Sequence, residues 1–134
     1  MPDANDRIVF GHSLGSNIAL EVANNFRPLP DKIVIHGAFT SVRTILVEKK
    51  LYNNFTKWLL PDVYDGLEKV QHMQIPLYIL HSRNDEIIPF SLGEELAKKA
   101  GDKARFLPLN TPGHNAVYEI PNDNTWQPIF DLMK

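Results

Sequence analysis

The chain has 134 residues, 43% of them hydrophobic, a formal net charge of -2 and no cysteine, which makes it one domain, or a piece of a larger one, able to bury a core. The charge balance offers no field for nucleic acid, and the missing thiols exclude disulfides and thiolate metal sites. The polar, acidic start is no secretory leader and no apolar run reaches bilayer-spanning length, so a cytoplasmic protein with no membrane segment is expected.

Residues 7–10, with Ile8, Val9 and Phe10 in a row, predict a first strand whose unbroken apolar run suits cover on both faces. Gly11-His12-Ser13-Leu14-Gly15-Ser16 comes next. A helix then runs from about Leu14 to Phe26, with Ile18, Ala19, Val22 and Ala23 at helical spacing, and Pro28 and Pro30 end it. Lys32 to His36 is a second strand, closed by Gly37. Ser41 can cap a helix through Ile45, Leu46 and Leu51, with further turns near Phe55, Trp58 and Leu59 before Pro61. Asp65 to His72 reads as a brief helix. Ile75 to His81 is a third strand, with Pro76 at its start. Ser91-Leu92-Gly93-Glu94 has the form of a capping box opening a helix that ends at Ala100-Gly101. Ala104 to Leu109 is a fourth strand, and Thr125 to Lys134 a final helix with Pro128 in its first turn. Strand and helix alternate with no hairpin turn, which predicts an α/β fold: a four-stranded parallel sheet with helices on both faces.

The segment after the first strand reads G-x-S-x-G. A serine hydroxyl attacks well only when it stands clear of its backbone, beside a base and beside donors for an oxyanion. A tight strand-to-helix turn does this at the cost of strain, and Gly11 and Gly15 are expected to let strand and helix close around Ser13. Ligands of an open α/β sheet bind beyond the carboxyl ends of its strands. The second strand leads into His36-Gly37-Ala38-Phe39-Thr40, the third into His81-Ser82-Arg83-Asn84-Asp85-Glu86-Ile87-Ile88-Pro89, and the fourth into Asn110-Thr111-Pro112-Gly113-His114-Asn115. Ser13, Asp85 and His114 thus lie on three loops at one rim, in the order serine, acid, histidine.

These three motifs, with Gly37-Ala38-Phe39-Thr40-Ser41-Val42, resemble the carboxyl-terminal half of an α/β-hydrolase, and most resemble the Bem46-like serine hydrolases. The resemblance implies hydrolysis of an ester, thioester or amide through an acyl-enzyme on Ser13, with a small-molecule acyl substrate and no metal or organic cofactor. His114 would move the proton, Asp85 would orient the imidazole, and the Leu14 backbone N–H would be an oxyanion donor. His12 and Phe39 are candidates to line the pocket. Residues 1–134 form one partial domain on this reading, with segment 38–72 a possible short cap or pocket wall.

Blander readings stand beside each residue. Asp85 can simply cap its turn, with Asn84 or Glu86 as rival polar groups. His114 can be a solvated loop residue. His81 fits a core histidine satisfied by backbone, and His36 can line the site or merely end its strand. A metal cluster of His12, His36, His81 and His114 matches no zinc spacing. Phe55, Trp58 and Tyr64 suit core, pocket wall or lid.

Only about six residues precede the elbow strand, whereas the resembled fold has several strands there and draws its second oxyanion donor from that part. Weak activity is therefore expected, and the outer edge of the first strand should be bare. A fragment, a homodimer through that edge, or completion by another chain each answers it. The rival function is a non-catalytic hydrolase remnant serving as an interaction or ligand-binding module.

Overall fold

A computed structural model describes residues 5–51, 63–110, 112–115 and 123–134. Strand β1 (Ile8–His12) leads into helix α1 (Leu14–Asn25), then β2 (Lys32–His36), α2 (Val42–Glu48), α3 (Gly66–Gln71), β3 (Leu77–Ser82), α4 (Phe90–Ala100), β4 (Ala104–Leu109) and α5 (Asp123–Leu132). The four strands are parallel and lie in chain order, β1-β2-β3-β4. His12 sits opposite His36, and Ser82 opposite Leu109, so the carboxyl ends of the strands form one rim.

Side chains alternate across the sheet as a pleated strand requires. Ile33, Ile35, Leu77 and Ile79 point to one face, where Ala19, Leu20 and Ala23 of α1, Val70 of α3 and Leu96 of α4 cover them. Val34, Tyr78 and Leu80 point to the other, against Ile129 and Met133 at the end of the chain. Ile33, Ile35, Leu77 and Ile79 are fully buried, each contributing about 1.5–3 kcal/mol over an exposed state. The predicted four-stranded parallel sheet with helices on both faces is what forms.

Several local expectations are corrected. β1 lies at the edge of the described sheet, as expected, but its faces are not both covered: Ile8 and Phe10 remain 36% and 38% exposed. An unbroken apolar run does not by itself tell whether both faces of a strand are covered. Helix α2 is capped as expected, Ser41 Oγ accepting from the Thr44 N–H at 3.2 Å. It ends at Glu48, however, and Leu51 lies beyond it, 67% exposed. The capping box does not form: α4 starts at Phe90 behind Pro89, placing Ser91 inside its first turn with no capping bond. Proline supplies the extended backbone angles of a helix entry, φ -53 and ψ 133, so the cap moves from Ser91 to Pro89, two residues earlier. Helix α5 starts at Asp123, which puts Pro128 in mid-helix, where its missing N–H removes a bond to the carbonyl four residues back. Phe55, Trp58, Leu59 and Pro61 lie outside the described residues. Tyr64 is 39% exposed, with the Lys69 ammonium 5.8 Å from its ring centroid.

Candidate active site

The turn between β1 and α1 is the most constrained backbone at the rim. Ser13 has φ 54 and ψ -121, a region that costs a residue with a side chain about 1–3 kcal/mol. Its N–H donates to the His36 carbonyl at 2.9 Å, and its own carbonyl accepts from the Ser16 N–H at 3.0 Å. Buried Ser16 ties the turn to both strands, its hydroxyl reaching the Gly11 carbonyl at 3.1 Å and the His36 carbonyl at 3.2 Å. No sequence signal singles out Ser16 for this role. Ser13 occupies the position before α1 yet its side chain makes no capping bond, so the hydroxyl is not committed to its own helix. Leu14 begins α1, where backbone N–H groups lack helical acceptors.

The two glycines of the motif differ. A Cβ on Gly11 would collide with the Gly15 carbonyl and lie 2.8 Å from Ala19 Cβ, so β1 and α1 close only because Gly11 has none. A Cβ on Gly15 meets nothing within 4 Å, so the expectation that Gly15 is needed for closure is corrected.

Asp85, in the turn after β3, uses its two oxygens differently. Oδ1 accepts from the N–H groups of Ile87 at 2.9 Å and Ile88 at 2.7 Å. Oδ2 lies 2.7 Å from Nδ1 of His114, with the Asp85 side chain fully buried. The turn-capping reading and the partner reading are thus both satisfied by one carboxylate. Burial alone would raise the Asp85 pKa, but hydrogen bonds from His114, His81 and the Ile88 backbone outweigh it and hold the group well below the usual carboxylate range. An ionised carboxylate only accepts, so Nδ1–H of His114 is the donor to Asp85 and Nε2 is the ring nitrogen not bound to the carboxylate.

His114 is 3% exposed, not a solvated loop residue. Room for its ring comes from Gly37, which has φ +58 and whose added Cβ would stand 2.9 Å from His114 Cε1. Both the backbone angle and the space require glycine there. The His114 N–H donates to Glu86 Oε2 at 3.0 Å, and its carbonyl accepts from His12 Nε2 at 3.1 Å. The rings of His12 and His114 have centroids 4.7 Å apart, and those of His12 and His36 are stacked at 4.9 Å. Ser13 follows His12 directly and bonds to His36, which precedes Gly37, so Ser13, Asp85 and His114 are gathered on one rim.

The remaining candidates fall around them. His81 is fully buried, its Nε2 donating to the Ile88 carbonyl at 3.0 Å and lying 3.5 Å from Asp85 Oδ2. Asn84 and Glu86 are exposed, and the Glu86 carboxylate meets the main chain of His114, not its ring. Phe39 is 3% exposed and packs with Ile88 and Leu92 beneath the acid loop, a core contact rather than an open pocket wall. Burial, reinforced by the neighbouring imidazoles, pushes His36 down to about 3. Burial likewise lowers His12, partly offset by its bond to His114. The four histidines do not converge on a point: among the described residues no group of three or more His, Asp or Glu is arranged to hold a metal ion.

A parallel sheet whose first crossover carries a strained serine, and whose later strand ends supply a paired acid and histidine, is the later half of an α/β-hydrolase fold. Solved structures agree. The chain superposes on the esterase domain of a Rhodothermus marinus protein with TM-score 0.69 at 18% identity, covering 95% of this chain and 57% of that one. An α/β fold family hydrolase from Bacillus anthracis gives 0.67 at 20% identity, covering 95% of this chain and 67% of that one. Among curated sequences it is similar to the lysophosphatidylserine lipase ABHD12 of Macaca fascicularis, 27% identical over 138 residues, across 84% of this chain and 35% of the relative. The chain therefore spans about a third of the length of that relative. No family model matches it. No helix among the described residues is long and apolar enough to cross a membrane.

Proposed function

We propose that the chain carries the catalytic triad of a serine hydrolase, with Ser13 as nucleophile, His114 as general base and acid, and Asp85 as its orienting partner. The observation that supports it most is the 2.7 Å pairing of buried Asp85 with His114 Nδ1 on the rim where Ser13 is held at φ 54. That pairing leaves His114 Nε2 to take the Ser13 proton as the hydroxyl attacks an acyl carbonyl, and to return it to the departing alcohol. Asp85 stays ionised and stabilises the imidazolium. The Leu14 N–H, at the positive end of α1, would bind the oxyanion. The substrate class we favour is a carboxylic ester, since a relative is named a lysophosphatidylserine lipase and a structural neighbour an esterase domain. Segment 38–72 is our candidate for a short cap or pocket wall, through residues other than the buried Phe39, and the Bem46-like grouping within the fold is our reading of the motifs.

A second reading, a non-catalytic module, draws on the exposed Leu14 and Ile18 beside the elbow, at 47% and 53%. Apolar surface there suits a partner as well as a substrate. Labelling with a fluorophosphonate probe separates the two. The serine-hydrolase reading expects a covalent adduct on Ser13 that is absent in Ser13→Ala and Asp85→Ala. A folded chain without Ser13-dependent labelling favours the module.

A further inference from the structure

Resting on the serine-hydrolase reading, we propose that Glu86 and His12 are positioning residues that clamp the main chain of His114 from opposite sides. His114 lies outside the sheet and the helices, after Gly113 at φ +80, so no ladder or helix fixes its peptide groups. Two side chains do so instead. The Glu86 carboxylate accepts the His114 N–H at 3.0 Å, a bond strengthened by the acceptor's charge. His12 Nε2 donates to the His114 carbonyl at 3.1 Å.

The placement of the two is what gives the contacts a role. His12 is the chain neighbour of Ser13, and Glu86 is the chain neighbour of Asp85. Each therefore ties the third member of the set to the peptide that carries one of the other two. A base that must serve an attacking hydroxyl and then a leaving group tolerates little drift, and a misplacement of about 1 Å can cost about a hundredfold in rate. The surroundings fit the same purpose. A Cβ on Gly113 would stand 3.1 Å from Glu86 Oε2, so a small residue lets the carboxylate approach. The Glu86 carbonyl in turn accepts from Lys49 Nζ, which steadies the clamp from α2's end. Because His12 Nε2 is spent on a carbonyl, His12 holds the base and does not replace it.

The test uses the 134-residue chain and two readouts. One is the rate of Ser13 labelling by a fluorophosphonate; the other is hydrogen exchange at the His114 amide by NMR. Glu86→Ala should slow labelling about tenfold and remove the protection of that amide, the effect of one lost hydrogen bond. Glu86→Gln, whose amide oxygen accepts the same bond, should restore both within about threefold. His12→Ala should slow labelling, and Glu94→Gln, an exposed change on α4, should leave it unchanged. Undiminished labelling with an unaltered His114 amide in Glu86→Ala overturns the clamp. If the wild-type chain does not label at Ser13, the hydrolase reading fails. The exchange result then judges the clamp alone, lost protection upholding it and retained protection overturning it.

Discussion

At the scale of single residues, glycine substitutions should separate by what surrounds each Cα. Gly15→Ala meets open space within α1 and gains helix propensity, so stability should hold or rise by up to about 1 kcal/mol. Gly11→Ala drives a methyl into the Gly15 carbonyl, and Gly93→Ala drives one into the His81 ring, so each should lose about 1–3 kcal/mol. Urea denaturation of the three variants measures this, and equal midpoints would contradict these packing contacts. Acid should expose His36. An unfolded imidazole protonates near about 6.5, while the buried ring resists until about 3, so between these values the unfolded chain holds the extra proton. Stability should fall as pH drops through that window and be flat above it. His36→Asn should shrink the difference between pH 7 and pH 5 by the share of one proton, read from denaturant midpoints. Asp85 acts further down: its depressed pKa adds stability that is complete above about pH 4 and lost as acid protonates the carboxylate.

Element ends give a matched pair. Ser41 Oγ accepts from the Thr44 N–H at the start of α2, so Ser41→Ala should cost about 1 kcal/mol. Ser91 resembles a cap in sequence but sits inside α4, exposed and without a capping bond, so Ser91→Ala should change stability by less than about 0.5 kcal/mol. Thermal melts of the two variants check the contrast; equal losses would mean that α4 begins where the capping box predicts. The strained turn at Ser13 belongs to this scale as well. It is held by the backbone hydrogen bond from the Ser13 N–H to the His36 carbonyl of β2 and by the Ser16 hydroxyl, so Ser16→Ala should loosen the elbow and slow any Ser13 labelling without touching the hydroxyl that reacts.

For the whole molecule, Ile8 and Phe10 of β1 and Leu14 and Ile18 of α1 are all partly exposed, an apolar margin at one edge of the sheet. Burying such surface is favourable at about 25 cal/mol per Å², and β1 is the edge strand of the described sheet, where a further chain can add. The 134-residue chain should therefore associate as concentration rises. The pair Phe10→Lys and Ile18→Glu should suppress this, measured by light scattering at tens of micromolar. A monomer at that concentration in the unmodified chain removes the homodimer reading.

Much of this was legible in the residues. β2 and β4 form over the predicted bounds, and the alternation of strand and helix dictated a parallel sheet, because short apolar runs without hairpin turns have few other ways to pair. The motif around Ser13 and the loop positions of Asp85 and His114 also came from the sequence, since a parallel sheet delivers every strand's carboxyl end to one rim. Tertiary structure alone decided the rest. That Asp85 caps its turn and meets His114 at once, that Glu86 and His12 hold the His114 peptide, that Gly37 and not Gly15 makes the critical space, and that Pro89 displaces Ser91 as the start of α4 all depend on which atoms meet across segments far apart in the chain. Local pattern encodes the period and ends of an element, whereas the pairing of distant polar groups is set only when packing brings them within hydrogen-bond reach.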